Sequence, residues 1–317
     1  MGARHPWVTT SNGGLRAAIV LCSVDGSGCA CDHAGRRGRA FRRHTGGHGA
    51  IVSESNVFAT LRGSGRIWAI AAVHGEIERL RALHARLARD ARAGDQIVYL
   101  GDSLGYGQNV RETIDELLTF RRAFLACPGV EVDDVVYLRG AQEEMWQKLL
   151  QLQFAPNPGE VLKWMVEHGI GPTIAAYGGS LDEGLSAARE GILALTRWTG
   201  QLRQNMRAFD GHTTLMSVLK HAAFTDDHAL LFVHAGIDPS RPLSAQMDAI
   251  WWGSAGFELL EAPYGDFRLV VRGSDRRRGG VRVGAFSATL DAGAGFGGPL
   301  TCACFGADGQ ILQMLEA

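Results

Sequence analysis

Five short loops, each directly after a run of strand-forming residues, constrain this chain more than any other feature. They read AAVHGE (71–76), LGDSLGYG (100–107), LRGAQEE (138–144), VHAG (233–236) and VRGSDR (271–276). An α/β sheet presents ligand-binding and catalytic groups on loops at the carboxyl ends of its strands. Three of the five hold a candidate metal ligand: His74, Asp102 and His234.

The segments between the loops alternate in kind. RIWAIAAV (66–73), QIVYL (96–100) and DVVYL (134–138) are rich in β-branched and aromatic residues and read as strands. Residues 76–91 place Leu80, Leu83 and Leu87 at helical spacing, and 110–125 and 143–154 read as two further helices. The stretch 158–222 reads as mostly helical, with interruptions at 175–180 and near Gly211. Strand patterns return at 229–233, 268–271, 281–284, 287–291, 300–305 and 310–315. Strand–helix alternation followed by a β-rich second half predicts an α/β/β/α sandwich, two mixed sheets covered by helices, with the second half supplying its own layer. Cys302 and Cys304 alternate in LTCACF and are expected to share one packed face of a strand.

Composition excludes several classes. With 32 basic and 33 acidic residues and a net charge of −1, there is no electrostatic reason to expect nucleic-acid or membrane partners. The longest early apolar run, Ala17 to Cys22, is too short to span a bilayer and lacks a secretory cleavage pattern. The expectation is a cytoplasmic protein with reduced cysteines.

Residues 1–65 stand apart. They are rich in glycine with scattered Arg and His and have no sustained period, which predicts a poorly ordered extension preceding a domain at 66–317. Cys22, Cys29, Cys31 and His33 are the alternative, a zinc site, but no second spaced pair completes it.

The order and spacing of the loops resemble bacterial members of the phosphoprotein-phosphatase-like group of calcineurin-like metallophosphatases, which includes symmetrical diadenosine tetraphosphatases. VVYLRG, WMVEHGIGPTIAAYG and LFVHAGIDPSRPL carry the resemblance beyond the loops, over about 66–317. It implies two divalent metals and identifies which positions have changed. In the first loop, G-D-x-H-G in the family, His74 is retained but Ala72 replaces the carboxylate. In the second, G-D-x-x-D-R-G, Asp102 matches the residue that bridges both metals, while Gly105 and Tyr106 replace the second Asp and the phosphate-binding Arg. In the third, G-N-H-E, Ala141 replaces the Asn ligand and Gln142 the general-acid His. His234 is retained in the V-H-A-G loop, Ser274 replaces the last His, and Gly253 after Trp251-Trp252 falls where a further Arg belongs.

Two divalent cations about 4 Å apart repel by roughly 17 kcal/mol even at an effective dielectric of about 20. One bridging carboxylate cannot offset that, alanine has no donor atom, and a glutamine cannot give up a proton as an imidazolium does. The resemblance places His74 and His234 on opposite sides of Asp102, so a shared single ion would need the loops to move; Glu143, Glu144 or Asp275 could compensate for lost ligands. Arg272 and Arg276, with Arg277 and Arg278, are candidate anion-binding groups or simply a solvated charged loop. GAGFGG (293–298) reads as turn chemistry. The expectation is a catalytically impaired pseudophosphatase with no cofactor, whose partner is an unidentified protein or phosphorylated ligand. The alternative is a phosphoesterase using a single Mn, Fe or Zn ion at His74, Asp102 and His234.

Overall fold

The computed structural model describes residues 57–63 and 65–317. The chain enters the fold through β1 (Phe58–Leu61), followed by β2 (Ile67–Ile70). A parallel neighbour requires a crossover, and α1 (Ile77–Asp90) supplies it, burying Leu80, Leu83, His84 and Leu87 on one face. β3 (Gln96–Tyr99), α2 (Val110–Leu125) and β4 (Val135–Tyr137) repeat the unit, giving three parallel strands in the order β2-β3-β4.

The third loop leads into α3 (Ala141–Leu149) and then a helical block: α4 (Pro158–Met165), α5 (Gly171–Ala176), α6 (Leu181–Glu190), α7 (Ile192–Arg207) and α8 (His212–Val218). Ser180 starts α6 with a capping box, its hydroxyl accepting from Glu183 N at 3.2 Å while the Glu183 carboxylate accepts from Ser180 N at 3.0 Å. Between α4 and α5 the backbone kinks at His168 and Gly169, where Gly169 has φ 102°.

The remaining elements are β5 (Ala222–Thr225), β6 (Leu230–Val233), α9 (Ala249–Trp252), β7 (Leu269–Arg272), β8 (Arg282–Val283), β9 (Ser287–Thr289), β10 (Thr301–Phe305) and β11 (Ile311–Glu316). Two mixed sheets result, ordered β1-β5-β6-β7-β9-β8 and β11-β10-β2-β3-β4. This is the expected two-sheet architecture, with two corrections to its connectivity. β10 pairs antiparallel with β2, so the last two strands join the sheet built by the first half and do not form a layer with the rest of the second half. β1, read from sequence as part of the extension, pairs in parallel with β5 and buries Leu61; the domain therefore starts before Arg66 and includes β1. The alternative zinc residues Cys22, Cys29, Cys31 and His33 lie outside the described residues.

Period-two alternation places the core. Ala69, Val98, Leu100 and Ala303 of one sheet face Ala223, Phe232, Val271 and Ala288 of the other, with the Phe232 and Phe305 rings 5.7 Å apart. The intervening residues Leu231, Val233 and Val270 point outward and are covered by Ile250, Phe257 and Phe267. Cys302 and Cys304 are both fully buried. No helix among the described residues is long and apolar enough to cross a membrane.

Candidate active site

The carboxyl ends of β2, β3, β4, β6 and β7 bring the five loops together, and backbone hydrogen bonds join them. Val73 N and His74 N donate to Asp102 O (3.1 and 2.7 Å), Gly273 N and Ser274 N donate to His234 O (2.9 and 3.0 Å), and Ala72 N donates to Gly273 O (3.0 Å). His74, Asp102, Gln142 and His234 are all buried, and Ser274 is half-buried beside them. His74 and Asp102 have φ of 53° and 52°, a left-handed conformation that is costly for residues with a Cβ and that clusters at functional sites.

Asp102 is the hub. Its Oδ1 accepts from Gln142 N at 2.7 Å, capping the amino end of α3 from another loop. Its Oδ2 lies 3.3 Å from His234 Nε2 and 3.8 Å from His74 Nε2. His234 Nδ1 bonds Leu100 O at 2.7 Å, which makes that nitrogen the donor and aims Nε2 at the carboxylate. The 3.3 Å contact sets an imidazole nitrogen against a carboxylate oxygen, so each favours the other's charged form. Burial opposes charge on Asp102, but His234, His74 and the Gln142 amide together hold its pKa below the usual carboxylate value. His234 is likewise raised against its own burial by Asp102. His74 goes the other way: burial outweighs the carboxylate and lowers its pKa. Asp102 and His234 thus each favour the charged form of the other, whereas burial favours the neutral form of His74.

Glu143 is also buried, and its role was not legible in the sequence. Its carboxylate accepts four backbone N–H groups: Asp102 (2.9 Å), Ser103 (2.7 Å), Leu104 (3.1 Å) and Gly140 (2.9 Å). It ties the second loop to the third and is not available as a substitute metal ligand. Burial and the Asp102 charge push its pKa up, against those donors. Glu144 is held by Arg139 (3.3 Å) and Lys148 (3.6 Å). Asp275 is held by Arg272 (3.3 Å) and Arg282 (2.6 Å). Asp291, also not singled out by sequence, accepts from Asp275 N at 2.7 Å and Gly293 N at 2.8 Å, joining the fifth loop to 293–298.

The altered positions are filled. Gln142 Nε2 donates to His168 O at 2.8 Å, holding the kink between α4 and α5. A Cβ at Gly105 would stand 2.2 Å from Gln142 Oε1, on a backbone already at φ 81°. The Tyr106 ring lies 5.1 Å from the His74 ring, edge to face. The donor set does not fit a dinuclear centre: Ala72 and Ala141 offer no donor, and Ser274 stands where an imidazole would be required. Among the described residues no three His, Cys, Asp or Glu side chains are placed to hold one ion.

Of the candidate anion-binding arginines, Arg272 is buried and committed. It donates to Thr289 Oγ1 (2.9 Å), pairs with Glu258 (3.1 Å) and Asp275 (3.3 Å), and lies 4.4 Å from the Phe257 ring centre. Arg276 is exposed, outside any ion pair among the described residues. Both border a hollow of about 220 Å³ that also touches Ala235, Trp252, Ser254 and Glu258. Trp251-Trp252 ends α9, and Gly253 packs under the Ala235 carbonyl (a Cβ there would lie 3.2 Å from it), close to the His234 loop.

Among solved structures, the chain is similar to a candidate diadenosine tetraphosphatase at 18% identity, covering 83% of this chain and 98% of that one, with a TM-score of 0.50. The chain has the calcineurin-like metallophosphatase fold. A serine/threonine phosphatase from Saccharomyces cerevisiae with similarity to human PP5 (15% identity, 78% and 76% coverage, TM-score 0.45) and a metallophosphoesterase from Sphaerobacter thermophilus (18%, 80% and 88%, 0.42) are further solved structures it resembles. No protein-family model and no curated protein sequence matches it. The metallophosphatase fold explains why five loops from both sheets meet at one end of the sandwich; identities this low carry the fold and not the activity.

Proposed function

We propose that this metallophosphatase-fold protein is a pseudophosphatase: a cytoplasmic protein without a resident metal that uses the inherited cleft, or the surface around it, for binding or regulation. One observation carries the reading. The proton-donor position is occupied by Gln142, which is locked onto His168 O, and the adjacent space where a carboxylate would orient a proton donor is closed by that same side chain, 2.2 Å from where a Gly105 Cβ would be. A glutamine amide cannot protonate a leaving alkoxide.

The His234–Asp102 pair supports the same reading. It lets a carboxylate remain buried with no metal to balance it, since a buried charge is tolerated when it is paired. The partner is proposed to be a protein or a phosphorylated ligand, with the exposed Arg276 beside the 220 Å³ hollow the cation best placed to meet an anion.

The test is metal analysis of the purified full-length protein together with aryl phosphate hydrolysis under added manganese, zinc or iron. No bound metal and no rate above the buffer blank is the expected result. A single-metal phosphoesterase at His74, Asp102 and His234 would give stoichiometric metal and turnover lost on mutation of those residues.

A further inference from the structure

The mouth of the cleft is closed by two aromatic side chains, and glycines at close-approach positions allow them to sit there. Tyr106 turns its ring to 5.1 Å from that of His74, and the Phe296 ring lies 5.5 Å from His74 and 4.4 Å from Tyr106, all edge to face. Gly295, at φ 82°, lets the 293–298 loop lie on His74, because a Cβ there would stand 2.6 Å from the His74 Cβ. Gly169 does the same for Tyr106, where a Cβ would come within 2.6 Å of the phenol ring. Tyr106 N also donates to Gly169 O at 2.9 Å, so this residue is fixed from behind by the α4–α5 kink.

Phe296 is held differently. Its loop carries glycine at 293, 295, 297 and 298, and the first three have φ of 90°, 82° and 92°. The loop closes on itself through Phe296 N and Gly298 N, both donating to Gly293 O at 3.0 Å, and leaves Phe296 37% exposed. The Arg278 guanidinium carbon sits 3.3 Å from the Phe296 ring centre. Asp291 joins the arginine loop to the phenylalanine loop through Asp275 N and Gly293 N. Behind this screen His74 Nδ1 and Gln142 Oε1 are buried without a hydrogen-bond partner among the described residues. Polar atoms left unpartnered in a dry interior are costly, and a cover that can open gives them access to water or a ligand.

We propose that Phe296 is a latch over the cleft, held shut against Tyr106 by Arg278, and that its opening uncovers His74 and Asp102. The latch rests on the reading of the cleft as a retained recognition site and supplies its regulation. A single ring on a glycine-flanked loop moves without disturbing the sheets, whereas Tyr106 is part of a packed backbone junction and stays.

The experiment measures carbethoxylation of each histidine by diethyl pyrocarbonate, resolved by peptide mass spectrometry, in the full-length protein and its Phe296→Ala and Arg278→Ala variants. His228, with its side chain 41% exposed, is the reactive reference, and the fully buried His84 reports global opening. In the unmodified protein His74 reacts far more slowly than His228. In Phe296→Ala it accelerates about tenfold, the equilibrium equivalent of one good aromatic contact, and in Arg278→Ala by a smaller factor, with His84 unchanged in both. Equal His74 rates in all three proteins would overturn the latch, as would a His74 in the unmodified protein as fast as His228. If His84 accelerates in Phe296→Ala, the exposed Arg278→Ala variant decides: faster His74 supports the latch and an unchanged rate overturns it. Aryl phosphate hydrolysis by the unmodified protein would overturn the pseudophosphatase reading and leave these rates as they are.

Discussion

At the scale of single residues, the coupling of Gly105 to Gln142 is the most informative change. Gly105→Ala adds a Cβ at φ 81° and 2.2 Å from Gln142 Oε1, so both backbone strain and a clash apply. It is expected to cost about 2–4 kcal/mol in the native background and only about 1–2 kcal/mol when Gln142→Ala has cleared the space. A double-mutant cycle in denaturant checks this; additive costs would mean the two positions do not share the space. Glu143→Gln keeps the shape but turns an amide NH₂ toward backbone donors, leaving some of the four N–H groups unpaired. A loss of about 2–4 kcal/mol is expected.

The histidines also set a pH dependence. His74, His84 and His221 have pKa values lowered from 6.5 by burial, so the unfolded chain takes up protons that the folded chain refuses, and stability falls as pH drops below 6.5. His234 is raised, so its contribution is complete below 6.5 and is lost as pH rises through its folded value. These histidines therefore favour a stability maximum near 6.5. His84, bonded to Glu116 at 2.7 Å and to Tyr99 at 2.8 Å, lies away from the cleft, and His84→Gln is expected to flatten the acid limb of thermal midpoint against pH. The convergence of the loops that carry His74, Asp102 and His234 was legible because motif order places them in sequence. The Gln142–Gly105 contact and the work of Glu143 and Asp291 were not, because they depend on which backbone atoms three separate loops bring within 3 Å.

At the scale of elements, the strongly periodic segments were legible and the short ones were not. α1 and α2 follow the leucine spacing of the sequence to within a residue or two at each end. β1 and β5, reading FATL and AAFT, are four residues long with little alternation, and Ala is a poor strand former, so neither stood out. β1 is held by its parallel pairing with β5, which is itself paired antiparallel with β6, and sequence displays neither partnership. A truncation of residues 1–65 removes β1 and the buried Leu61, whereas one of residues 1–56 leaves both. The longer truncation is expected to lower stability by about 2–4 kcal/mol relative to the shorter, a shift of several degrees in thermal midpoint. Equal midpoints would mean that β1 contributes nothing. The antiparallel return of β10 beside β2 was equally hidden, because LTCACF reads the same whichever sheet receives it.

At the scale of the whole molecule, the fold is that of a metallophosphatase while several positions of the site differ from the family pattern. The sandwich, the strand order and the convergence of five loops are intact, while Ala72, Ala141 and Ser274 stand where the resemblance implies metal donors, and Gln142 and Tyr106 where it implies the proton donor and a phosphate-binding group. The buried Asp102 carboxylate lies 3.3 Å from His234 Nε2, and each raises the preference of the other for its charged form. If the cleft holds no ion, as proposed, thermal unfolding is expected to show the same midpoint with chelator as with added manganese, since a ligand that does not bind the native state cannot stabilise it. The most direct measurement compares the unmodified protein with its His74→Ala, Asp102→Ala and His234→Ala variants for bound metal and aryl phosphate hydrolysis under manganese, zinc and iron. For a pseudophosphatase, the expectation is that all four proteins carry no stoichiometric metal and hydrolyse no faster than buffer. Stoichiometric metal and turnover in the unmodified protein, abolished in the three variants, would contradict it.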